Sequence, residues 1–102
     1  MPINAIGLIN LEHSPADPAA HLVITALART RGLFLAHTLT IDADTYMPTA
    51  LIVATAHKHH AATILAPTLE HFGPSPKAVA LTCTLVIPTL TIPAAGSWNP
   101  NH

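Results

Sequence analysis

The chain has 102 residues, half of them hydrophobic and only 9% charged, with a formal net charge of −1. Four Lys and Arg residues are too few for a phosphate-tracking surface, because affinity for DNA comes largely from basic side chains that release counterions, so direct DNA binding is not expected. The length implies one domain with a modest core, and no stretch of about 20 apolar residues is present to span a membrane.

Asn4 to Leu11, "NAIGLINL", is a short apolar run closed by Glu12, His13, Ser14 and Pro15, and predicts a buried strand. "SPADPAAHLVITALARTRG" predicts a helix. Asp17 suits the N-cap and Pro18 the first helical position. Leu22, Val23, Ala26 and Leu27 recur at helical spacing, Arg29 and Arg31 oppose the negative end of the helix dipole, and Gly32 marks the stop. Leu33 to Asp42 is rich in β-formers and predicts a second strand. A second helix starts between Thr45 and Pro48 and ends in His57, Lys58, His59 and His60. "AATILAP" predicts a third strand. "PSPKAVALTCT" predicts a short third helix, with Ser75 as cap and Pro76 at its first position. "TLVIPTLTIP" predicts a fourth strand, whose far half Pro88 assigns to a sheet edge. A single domain over residues 1–93 and a flexible tail over residues 94–102 follow. Strands alternating with helices imply an α/β fold: a small doubly wound, mainly parallel four-stranded sheet flanked by helices.

A soluble monomer usually carries about a quarter charged residues, far above this chain's 9%. Two readings follow. Either Ala, Thr, Pro and His make up much of the surface, or an apolar face is covered by a partner, which predicts a homo-oligomer. Eight histidines would turn the net charge positive as they protonate near pH 6. The lone Cys83 lies in an apolar run and is expected to be a buried, inert thiol. With no basic leader at the N-terminus, a cytoplasmic protein is expected.

In chain order and loop positions the sequence resembles the catalytic domain of serine recombinases, the resolvase and invertase family. The family's first strand has the form A-I-G-Y-x-R-V-S, and the chain reads Ala5, Ile6, Gly7, Leu8, Ile9, Asn10, Leu11, Glu12. The family's loop K-L-D-R-L-G-R after the third strand is matched by Thr68, Leu69, Glu70, His71, Phe72, Gly73 and Pro74. Asp42 and Asp44 stand where the family has an acidic residue ending the second strand. The likeness covers roughly Ile3 to Pro93. It implies a resolvase-like fold, but the chemistry departs from the family. Glu12 replaces the serine nucleophile, and Ser14 lies two residues on, about 6–7 Å along an extended chain. Asn10, His71 and Pro74 replace the arginines that hold phosphoryl charge with bidentate donors. No counterpart of the family's DNA-binding extension or long dimerisation helix is expected. The resemblance therefore implies a recombination-inactive relative acting as a self-association or protein-interaction module.

Two clusters offer other chemistry. His57 and His60, three apart on a helix, could hold Zn²⁺, Ni²⁺ or Cu²⁺ weakly if His37, Glu70 or His71 supplied a third ligand; otherwise they are a solvated cationic helix end. Glu12, Asp42, Asp44, Glu70 and His71, with His13, are expected at the C-terminal edge of the strands, where open α/β sheets bind ligands. There they form either a carboxylate–imidazole pocket suited to acid–base work or a set of loop caps. The alternative function is thus a small-molecule or metal-binding protein, and an active DNA recombinase or nuclease using Ser14 is the third. Nucleotide-binding and structural-zinc motifs are not seen, so no cofactor is expected. Tyr46 reads as a helix-start packing residue, and Trp98 as part of a mobile tail.

Overall fold

A computed structural model of the chain describes residues 3–11, 18–72 and 76–94. Five strands and three α-helices follow one another: β1 (Ile3–Asn10), α1 (Pro18–Thr30), β2 (Leu33–Ile41), α2 (Pro48–Lys58), β3 (Thr63–Leu65), α3 (Pro76–Ala80), β4 (Thr84–Ile87) and β5 (Leu90–Ile92). A 3₁₀ turn, Leu69–Phe72, lies between β3 and α3. The strands form one sheet in the order β2-β1-β3-β4-β5. β1 runs parallel to β2 and β3, and β3 parallel to β4, whereas β4 and β5 are antiparallel.

The sheet is therefore mixed and five-stranded, which corrects the expectation of four strands. Pro88 is the cause. It has no N–H to continue the ladder, so the segment reverses at Pro88 and Thr89. Ile87 then faces Leu90, and β5 returns along β4 as the edge strand. Ala94 just beyond is buried, and its N–H donates to Thr84 Oγ1 over 3.3 Å.

Alternation along β1 divides the core into two layers. Ile6 and Leu8 join Ile41, Ile52, Ala56, Ile64, Phe72, Val79 and Leu85 under α2 and α3. Ala5 and Ile9 join Leu65, Val86 and the inner stripe of α1 on the other face. Full burial of Ile6, Leu8, Ile52 or Ile64 contributes about 1.5–3 kcal/mol each. The α1 stripe is Ala20, Ile24, Leu27 and Ala28, spaced i, i+4, i+7 and i+8. It is rotated from the expected face: Leu22 is 70% exposed and Ala26 exposed, whereas Leu27 is buried. Ile24 of this stripe sits so closely over Gly7 that a Cβ there would meet Ile24 Cγ2 at 2.7 Å.

The helix ends follow local chemistry. Gly32 ends α1 at φ 66°, a left-handed conformation that costs glycine nothing. Pro48 opens α2 behind Met47, which takes φ 48° without a side-chain cap. Asp17 and Ser75, the expected caps of α1 and α3, lie outside the described residues, as do Gly73, Pro74 and residues 95–102, with Trp98 among them.

Candidate functional site

The parallel strands end together, so Asn10, Ile41 and the segment after Leu65 meet at one edge of the sheet. The 3₁₀ turn carries His71 inward there. The ring is 2% exposed, and its Nδ1 accepts the backbone N–H of Asn10 over 2.9 Å. An accepting Nδ1 bears no proton, so the neutral ring holds its hydrogen at Nε2. Phe72 beside it is fully buried. Glu70, on the same turn, is exposed.

Asp42 and Asp44 follow β2 at this edge and are both exposed. Their hydrogen bonds are local. Asp42 Oδ1 accepts the Asp44 N–H at 2.9 Å and the Thr45 hydroxyl at 3.2 Å, while the Asp42 N–H donates to Thr45 Oγ1 at 2.9 Å. That pattern stabilises a turn leading into α2. Asp42 thus places its carboxylate in a local turn, to which Asp44 contributes its backbone N–H. Glu12, His13 and Ser14 lie outside the described residues.

The opposite edge of the sheet gathers imidazoles. His57, Lys58, His59 and His60 end α2 there. His60 adopts φ 54°, which turns the chain into β3. His57 and His60 line a groove of about 420 Å³ with Ala61, Ala62 and Thr82. The expected third ligands do not join them. Glu70 and His71 are at the far edge, and the His37 ring lies flat against His59 instead, with centroids 4.6 Å apart and planes 9° from parallel. Among the described residues no three His, Cys, Asp or Glu side chains are placed to hold one metal ion. The His59 pKa is lowered, first by desolvation and then by the neighbouring His37, Lys58 and His60.

The His37–His59 pair is a feature the sequence alone does not disclose. A register shift between Ala5 and Ile6 leaves Ala36 without a partner and sets His37 opposite Ile6. Ile6 packs toward α2, so the shift turns His37 to the α2 face. The C-terminal turn of α2 is anchored there too, since the Asn4 amide donates to the His59 carbonyl at 3.1 Å. Cys83 is buried and free, as its apolar surroundings imply.

No helix among the described residues is long and apolar enough to cross a membrane. No protein-family model matches the chain, and neither a curated protein nor a solved structure matches it.

Proposed function

We propose that this chain is a non-enzymatic interaction module that self-associates through the open edge of β2. One observation carries the reading. β2 is a nine-residue edge strand, LFLAHTLTI, with no Asp, Glu, Lys, Arg or Pro. Among the described residues no strand pairs with its outer side. Its Phe34 is 55% exposed. Edge strands that stay solitary are blunted by charge, proline, short length or bulges, and β2 has only the bulge at Ala36. At about 3.3 Å per residue the strand offers a pairing edge roughly 30 Å long. Its outward N–H and C=O groups are enough for a hydrogen-bond set at the low end of a stable interface, about 5 to 10 bonds.

The recombinase-like ancestry belongs to the same proposal. Two positions that match the family's arginines, Asn10 and His71, are both buried and joined by a hydrogen bond to the Asn10 backbone. They serve packing here, which supports a scaffold without recombinase chemistry. The acid and imidazole residues expected to form a ligand pocket have less support, because Asp42 is spent on its own turn and His71 on Asn10.

Sedimentation velocity across a concentration series tests the proposal. The pure chain is expected to form a dimer at concentrations at or below the order of 100 µM. Thr40→Lys, which adds a charge at an exposed position of the edge, weakens that dimer while the circular dichroism spectrum stays unchanged. A wild-type chain that remains a monomer throughout overturns the reading.

A further inference from the structure

We propose that the occupant of the β2 edge is a second copy of this chain, paired antiparallel about His37, and that acid releases it by charging the stacked His37 and His59 rings. The inference rests on the self-association reading and adds its geometry and its regulation.

The register comes from the strand itself. A two-fold axis pairs a residue with its symmetry mate, and full overlap of Leu33–Ile41 with a second Leu33–Ile41 places the axis at the central residue. That residue is His37. The two His37 Cα atoms then face one another about 4.5–5.5 Å apart.

Charge favours the antiparallel sense. Asp42 and Asp44 follow the C-terminal end of β2, and Lys58 and His60 flank the His59 ring that stacks on His37. Asn4, in register with Phe34, holds the His59 carbonyl, so this basic turn lies toward the N-terminal half of β2. Antiparallel pairing brings the acidic end of one copy alongside the basic half of the other. Parallel pairing would set like beside like.

The same arrangement contains the release. Imidazole is the side chain whose charge changes between neutral and mildly acidic pH. At neutral pH nothing on β2 repels its copy. In acid, four imidazolium groups crowd the axis. Lys58 and His60 face the pair from the α2 end and add positive charge. β1, β2 and β3 contribute no other titratable side chain. The acids Asp42 and Asp44 of the partner lie about 16 Å from the axis along the strand. That is three times the separation of the rings and twice the Debye length of about 8 Å at physiological salt, so their attraction biases the strand sense but is too weak to offset repulsion between rings about 5 Å apart.

The test is sedimentation velocity of the full chain at pH 7.5 and pH 5.0, with circular dichroism to follow folding. The wild type is expected to dimerise at pH 7.5 and to bind about tenfold more weakly, or worse, at pH 5.0. A His37→Gln, His59→Gln double variant is expected to keep its dimer at both values. His37→Cys is expected to cross-link to its own copy under mild oxidation, and Thr40→Cys is not, because only the residue on the axis meets itself within disulfide range. A dimer equally strong at both pH values overturns the acid release and leaves self-association standing. Acid dissociation that persists in the double variant overturns the assignment to this pair. Cross-linking by Thr40→Cys but not His37→Cys overturns the register. A monomer under every condition removes the self-association reading itself.

Discussion

The backbone N–H of Asn10 and Nδ1 of His71, 61 positions apart in the chain, are joined by a buried hydrogen bond of 2.9 Å. The bond ties the end of β1 to the 3₁₀ turn. His71→Leu keeps much of the ring's volume but removes the acceptor. Loss of this buried acceptor is expected to cost about 1–3 kcal/mol, read from urea unfolding. In the wild type, nitrogen NMR is expected to show the ring hydrogen at Nε2. A ring protonated at Nδ1 in the neutral protein, or a His71→Leu chain of unchanged stability, contradicts this geometry.

Gly7 is the close-approach point between β1 and α1. Gly7→Ala forces the new Cβ against Ile24 Cγ2 at 2.7 Å, and Ile24 is itself 1% exposed. The overpacking is expected to cost about 1–3 kcal/mol. Ile24→Ala removes the clashing methyl, so the penalty of Gly7→Ala should shrink in that background. A double-mutant cycle by thermal or urea unfolding measures the coupling, and additive effects would rule out the contact.

Gly32 separates conformational strain from packing. Its φ is 66°, and nothing lies within 4 Å of where a Cβ would stand. Gly32→Ala is expected to cost about 1 kcal/mol through the backbone alone, and Gly32→Asn less, since asparagine tolerates the left-handed region better. Equal stabilities for the three chains would mean that α1 ends in another way.

His59 is expected to titrate below the ordinary histidine value of 6.5, by NMR of its ring protons. His37→Ala relieves both the ring contact and the neighbouring charge, so it should move the His59 pKa back upward. Because the folded pKa lies below the unfolded one, protonation favours the unfolded chain. The stability tied to this group is complete above about pH 6.5 and declines as pH falls toward the folded pKa. A His59 titrating above 6.5 contradicts the assignment.

Most of the layered architecture is legible in local sequence. The apolar runs Ala5–Ile9 and Thr63–Leu65, and the proline starts at Pro18, Pro48 and Pro76, mark elements through backbone chemistry that acts within a few residues. The fifth strand is less legible. Pro88 signals an interruption but not that the chain folds back, which depends on Leu90 and Ile92 finding β4. The buried His71 is not legible either. "LEHF" has the polarity of an exposed loop, and only a partner 61 positions away turns the ring inward. The pairing of His37 with His59 depends on a one-residue register shift at Ala36, which no periodicity announces. Conversely, the acids at the strand ends are visible in sequence. That the Asp42 carboxylate holds a local turn emerges only from its partners.

The hairpin at Pro88 has a consequence for how far assembly can go. β5 is three residues long, with Pro88 in the turn before it and Pro93 just after it. That edge is too short, and too poor in donors at its ends, to template another strand. A sheet with two open edges can add subunits without end, as fibrils do. In the self-association proposed above, a sheet open on one side only would exhaust its valence in a single symmetric handshake, and growth would stop at two copies. Under that proposal the proline that interrupts the fourth strand acts as a chain stopper, in the polymer chemist's sense, for a sequence with very little charge to keep its copies apart.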